Sequence, residues 1–128
     1  MSNLKLSRKL RGNIAEFKVR LYLVLNGYRI LDSNFYSPYG EIDIVCKKKK
    51  TLIFAEVRSR SENLCVRYGT PAESVNYKKQ QNIIKSAKYY LKFCSVKCET
   101  YRFDVIEAII PQNGGIKINH IKDAFISK

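Results

Sequence analysis

Apolar positions recur at helical spacing from Arg8 to Asn26, where Ile14, Phe17, Leu21, Val24 and Leu25 form a stripe and Gly27 follows as a natural stop. The spacing then changes to the alternation of strands. Tyr28 to Phe35 reads as one strand, and Ser37, Pro38, Tyr39 and Gly40 supply turn chemistry after it. The run from Gly40 to Arg60, GEIDIVCKKKKTLIFAEVRSR, reads as two strands joined at Lys49 and Lys50. With the turn there, residues whose numbers sum to 99 face each other, and Asp43 falls opposite Glu56. One face of this hairpin carries Ile42, Ile44, Cys46, Ile53, Ala55 and Val57. The other carries Glu41, Asp43, Val45, Leu52, Phe54, Glu56 and Arg58.

Ser59 to Gly69 is polar and basic and reads as an exposed loop, after which Thr70, Pro71 and Glu73 fit a capping box for a short helix over residues 72–76. A longer helix is expected from Lys78 to Cys94, burying Ile83, Ile84, Ala87, Leu91 and Cys94. Gln81, Lys85, Lys88 and Lys92 line its outer face in one row. Tyr101 to Ile110 is a strong strand, Gly114 and Gly115 turn the chain, and Ile116 to Ile121 is a weaker last strand. The order α-β-β-β-α-β, with that last strand added, is an α/β architecture in a single domain over residues 1–128.

Charge narrows the function classes. Lys and Arg number 24 against 11 Asp and Glu, giving +13, so the leading partner is a polyanion, nucleic acid above all. No apolar run approaches the roughly 20 residues that span a bilayer, and the basic N-terminus lacks the apolar core of a signal peptide. A cytoplasmic location with reduced cysteines is therefore expected. Cys46, Cys65, Cys94 and Cys98 lack the paired spacing of a zinc site, and His120 is the only histidine.

The facing carboxylates change the picture most. Opposed Cβ atoms lie about 4.5 to 5.5 Å apart in such a ladder, and like charges there repel unless a cation sits between them. Phosphodiester hydrolysis needs a metal on hard oxygen ligands, an activated water, and positive charge near phosphorus. Asp43 and Glu56 could bind Mg²⁺ or Mn²⁺, the carbonyl of Val57 could add an oxygen, and Arg58 on the same face could meet the phosphate. Glu16, set among apolar neighbours on the first helix, is a further candidate ligand. Arg58, Arg60, Arg67, Lys78, Lys85 and Lys88 are the candidate nucleic-acid contacts.

An acidic residue followed by (D/E)xK on the next strand is the PD-(D/E)xK signature of restriction-endonuclease-like nucleases. Gly12 with Ala15-Glu16, Gly27-Tyr28, Gly40-Glu41-Ile42-Asp43, Phe54-Ala55-Glu56-Val57-Arg58, Lys78 and Arg102-Phe103-Asp104 together resemble the YraN-like family across nearly the whole chain. That resemblance implies a restriction-endonuclease-like core with a mixed sheet flanked by helices, similar to archaeal Holliday junction resolvases. It further implies a site of Glu16, Asp43, Glu56 and Arg58, action on branched or damaged DNA, and a homodimer. The departure is Arg58 where the signature has lysine. Arginine stays protonated at accessible pH, so it can neutralise phosphate but cannot act as a base. Two other readings stay open: a nucleic-acid-binding protein that keeps the fold without turnover, and a basic scaffold for RNA. Plainer roles also stand, with Glu16 paired to Arg20, Arg102 paired to Asp104, and the Lys47 to Lys50 run a solvated turn.

Overall fold

A computed structural model describes residues 8–61, 75–111 and 113–126, with side chains from Gly12 onward. The elements are α1 (Arg8–Leu25), β1 (Arg29–Ser37), β2 (Gly40–Lys48), β3 (Thr51–Ser61), α2 (Tyr77–Phe93), β4 (Thr100–Ile110) and β5 (Lys117–Phe125). The expected capping box and residues 72–74 of the short helix, together with Cys65 and Arg67, lie outside the described residues, whereas Val75 and Asn76 are not helical and Asn76 instead caps α2.

The five strands form one sheet in the order β1-β2-β3-β4-β5, antiparallel throughout except for the parallel pair β3 and β4. That parallel pair explains the composition of β3. A strand covered on both faces reads as a continuous apolar run, and Leu52, Ile53, Phe54 and Ala55 are all buried to within 1%. The chain crosses from β3 to the parallel β4 by way of α2, and α1 covers the opposite face of the sheet. The architecture is α/β, a five-stranded mixed sheet with two helices, consistent with a restriction-endonuclease-like core.

The hairpin turns where expected: Lys48 pairs with Thr51 and Val45 with Phe54, and the numbers of each pair sum to 99. Lys49 takes the left-handed backbone that a tight turn of this kind requires, with φ of 55°.

Helix α1 corrects the sequence reading. Ala15, Val19 and Leu23 face the sheet, whereas Phe17 is 56% exposed and Leu21, Val24 and Leu25 also point outward. The helix is apolar on two sides, so its periodicity admits two stripes. The sheet takes the one led by small residues, packing it on Ile44, Cys46, Ile53, Ala55, Ile106 and Ala108. On the other face Ile83, Ile84, Ala87 and Tyr90 of α2 pack on Val45, Leu52, Phe54, Phe103, Val105 and Phe125. Phe103 stacks between Phe54 and Phe125, at 5.7 and 5.1 Å between ring centroids.

Three strands run beyond their expected ends. β1 continues past Phe35 to Ser37, which pairs with Gly40. β3 continues through Ser59, Arg60 and Ser61, which pair with Ala108, Ile109 and Ile110 of β4 instead of opening a loop. β5 continues to Phe125 across an irregularity at Asp123, where φ is 56° and the backbone N–H donates to the Asp104 carboxylate at 3.0 Å.

Candidate metal and nucleic-acid site

The two hairpin strands separate just before Asp43. Their ladder closes at Ile44 and Ala55, one pair short of Asp43 and Glu56, and a side chain takes over from the backbone there. Asp43 Oδ2 accepts the Val57 N–H at 2.8 Å. On the neighbouring strand the register brings Asn34 to the place facing Asp43, and Asn34 has φ of 53°, a backbone that asparagine tolerates better than most residues. The alternation of β2 breaks at the same place. Ile42 packs in the α2 cluster and Ile44 in the α1 cluster, although the sequence pattern put both on one face. Asp43 consequently sits at a seam. It lines a cleft of about 330 Å³ with Gly12, Asn13, Ala15 and Glu16 of α1 and with Val57 and Ser59 of β3. Its charge also acts on the buried Glu56 carboxyl of the next strand.

Glu56 is the first charged residue on the buried run of β3, and only 4% of it is exposed. Burial, then the Asp43 charge and the hydrogen bond between the two carboxylates, push its pKa up to about 7. Lys79 offsets part of that rise, and two cations reach the same oxygen. Lys79 Nζ lies 3.4 Å and Arg58 Nη1 3.7 Å from Glu56 Oε2. Removing the nearer one should leave Glu56 harder to ionise. In Lys79→Met, the Glu56 carboxyl resonance followed by ¹³C NMR is expected to titrate above pH 7, and an unmoved midpoint would show that Lys79 exerts no field there.

The same field extends to two more acids. The pKa of Glu16 is raised by burial, next by Asp43 and also by Glu41, with Arg20 acting in the opposite direction. That of Glu41 is raised by burial and then by Asp43, and lowered by Lys79. Glu16, Glu41 and Glu56 thus all sense Asp43, which stands at the centre of the group. Among the described residues no three acids, histidines or cysteines converge closely enough to cage a metal by themselves. The hard oxygen donors that do come together are the Asp43 and Glu56 carboxylates, with the Val57 backbone alongside.

A family model described as "Uncharacterised protein family UPF0102" matches residues 15–108, a span that takes in Glu16, Asp43, Glu56, Arg58 and Lys79. The chain belongs to the UPF0102 family. This is the YraN-like family that the motif series resembles. A UPF0102 protein of Clostridium beijerinckii is 48% identical over 115 residues, covering 89% of this chain and 91% of its own. Relatives from Clostridium tetani, at 47% identity, and Caldicellulosiruptor bescii, at 46%, carry the same family name; they cover 89% and 81% of this chain and 92% and 87% of their own.

Within the UPF0102 span, the predicted site residues divide. Glu16, Asp43, Glu56, Val57 and Arg58 come together at the seam. Arg60 does not join them: its guanidinium meets Glu107 Oε2 at 2.7 Å and is only 12% exposed, so it is held in an internal ion pair. Lys78, Lys85 and Lys88 are exposed on α2. The Arg102–Asp104 pair forms as expected, with Arg102 Nε 2.9 Å from Asp104 Oδ1, and it belongs to a larger buried network. Asp104 Oδ2 accepts from His120 Nε2 at 2.7 Å, His120 Nδ1 meets the Tyr22 hydroxyl at 2.9 Å, and Arg102 Nη2 donates to the Tyr28 hydroxyl at 3.1 Å.

Sequence reasoning passed over Glu41 and Lys79. Glu41 carried a signal, since it shares the Asp43 face two residues away. Lys79 carried one too, because it lies four residues before Ile83 on the buried stripe of α2. Asn76 caps the helix beside it by accepting the Lys79 N–H at 2.8 Å. Among the described residues, no helix is long and apolar enough to cross a membrane, and Cys46, Cys94 and Cys98 are free thiols.

Proposed function

We propose that this chain is a divalent-metal-dependent endonuclease acting on DNA in the cytoplasm, with branched or damaged DNA as the substrate class that its resemblance to resolvases favours. The observation that carries the reading is the Asp43–Glu56 pair at the seam, with Asp43 held on the Val57 N–H and its charge acting on a buried Glu56 whose pKa is raised to about 7. Such a pair is unfavourable by itself and becomes favourable around a divalent cation. The donor set suits Mg²⁺ or Mn²⁺, which keep several waters and are commonly held by one or two carboxylates together with substrate phosphate oxygens.

In this reading Asp43, Glu56 and the Val57 carbonyl hold the cation. Bound there, it supplies positive charge at the phosphate and makes water more acidic. Arg58 grips the non-bridging oxygens of the scissile phosphate and neutralises charge as it builds. The water oxygen forms its bond to phosphorus while the P–O bond to one sugar breaks. One proton of the water passes to Glu16, whose raised pKa suits it as an acceptor, and the departing sugar oxygen takes a proton from solvent. Lys78, Lys85 and Lys88 hold the backbone on either side, within the +13 field of the whole chain.

Labelled duplex, single-stranded and four-way-junction DNA incubated with Mg²⁺ or Mn²⁺ tests the proposal. Cleavage is expected with metal and none with EDTA, and cleavage that persists in Asp43→Ala and Glu56→Ala would overturn it. A second reading, binding without turnover, is favoured by Arg58 in place of lysine. It predicts salt-sensitive DNA binding that the alanine variants retain or strengthen, with no cleavage under either metal.

A further inference from the structure

We infer that Lys79, reaching over from α2, supplies the lysine that the strand signature lacks at position 58. The inference rests on the nuclease reading and deepens it. In the signature the lysine stands two residues after the second carboxylate, on the same strand face, with its ammonium beside that carboxylate. Here that place holds Arg58, 3.7 Å from Glu56 Oε2, while Lys79 Nζ reaches the same oxygen at 3.4 Å from another element.

Two observations make this more than a passing surface pair. The Glu56 side chain is buried, whereas Lys79 is 47% exposed, so the ammonium bridges the site and the solvent from which DNA would approach. The backbone of Lys79 is fixed too, because its N–H is the group held by the Asn76 cap.

Arginine and lysine then divide one role into two. The planar fork of Arg58 suits two phosphate oxygens at once. The compact ammonium of Lys79, with three donors, can hold Glu56, the attacking water and a phosphate oxygen together. Lys79 acts in this scheme as a fixed positive charge and donor.

Single-turnover cleavage of a junction or flap substrate in Mg²⁺, compared among Lys79→Gln, Arg58→Lys and the double variant, tests the division. Lys79→Gln should cleave on the order of a hundredfold more slowly, the size of effect seen when one transition-state donor is lost. Its DNA affinity should stay within about threefold of the parent, because a single phosphate contact is removed from many. The double variant, which returns an amine to the strand, should recover at least about a tenfold part of the loss. Lys79→Gln cleaving within about threefold of the parent would overturn the inference.

Mn²⁺ affinity, read by calorimetry without DNA, gives a measure independent of turnover. Losing a cation beside Glu56 should tighten Mn²⁺ binding several-fold in Lys79→Gln, and the exposed Lys122→Gln should leave it unchanged. Should the parent cleave nothing, the nuclease reading fails by itself. The Lys79 assignment then stands or falls on whether Lys79→Gln and Lys122→Gln differ in Mn²⁺ affinity.

Discussion

Asp43→Asn is expected to unfold at a higher temperature than the parent at pH 8 and to cleave DNA on the order of a hundredfold more slowly or not at all. Asparagine keeps an oxygen where Asp43 accepts the Val57 N–H, so the seam between the hairpin strands stays closed. What it removes is the negative charge facing Glu56. With its pKa raised to about 7, Glu56 stabilises the fold by holding a proton, and that stabilisation is lost as pH rises through about 7. Above this pH the Glu56 charge of the parent forms against the field of Asp43, a field that the variant lacks. The gain should be roughly 1 kcal/mol at pH 8 and should shrink as pH falls below about 6, as read by urea unfolding at both values. Asp43→Ala makes the contrast, because it also strips the acceptor from Val57 and should lose stability. In the proposed reading a metal competes with the same proton, so the apparent Mg²⁺ affinity of the parent should fall by up to about tenfold per pH unit below 7. Equal stability of Asp43→Asn and the parent at pH 8 would mean that the two carboxylates do not repel.

Asp104→Ala should cost about 3–5 kcal/mol, the usual consequence of stripping one partner from a buried charged network. Asp104 is fully buried and receives hydrogen bonds from Arg102, His120 and the Asp123 backbone. Its burial raises its pKa, but the hydrogen bonds from His120, Arg102 and Asp123 outweigh that and hold it below the ordinary aspartate value. A depressed carboxylate pKa contributes stability at neutral pH that is lost only as pH falls through the folded-state value. The deficit of the variant should therefore be full at pH 7 and narrow in strong acid, where the parent also loses the ionised carboxylate. Thermal unfolding across pH 2 to 7 reads both the size and the trend, and a loss under about 1 kcal/mol at pH 7 would make the network incidental.

Much of the fold was legible because local chemistry specified it. Lys49 and Lys50 between two alternating runs fixed the hairpin register, and the apolar spacing of Ile83, Ile84 and Ala87 fixed the buried face of α2. Features that depended on distant partners were not legible. The outward turn of Phe17 and Val24 reflects which of two apolar stripes the sheet accepted. The extension of β3 past Ser59 rests on a parallel pairing with β4 and on Glu107, residues far along the chain. At the site, Asp43, Glu56 and Arg58 could be grouped by strand period alone. Their lysine could not, since it arrives from a helix more than twenty residues along the chain, whose docking against the sheet decides which acid it meets. The break at Asp43 was equally hidden, because an irregularity at Asn34 on the neighbouring strand has no signature in the alternation of β2.

The hydrogen bond between Tyr22 and His120 fastens α1 to the last strand. Tyr22 lies six residues beyond Glu16, or roughly 9 Å along the helix axis. Because His120 also bonds Asp104, the first helix is tied through one histidine to the buried network of β4, and Ala15, Val19 and Leu23 hold the stretch between on the sheet. The carboxylate of Glu16 is thus carried on a helix anchored by three distant parts of the chain.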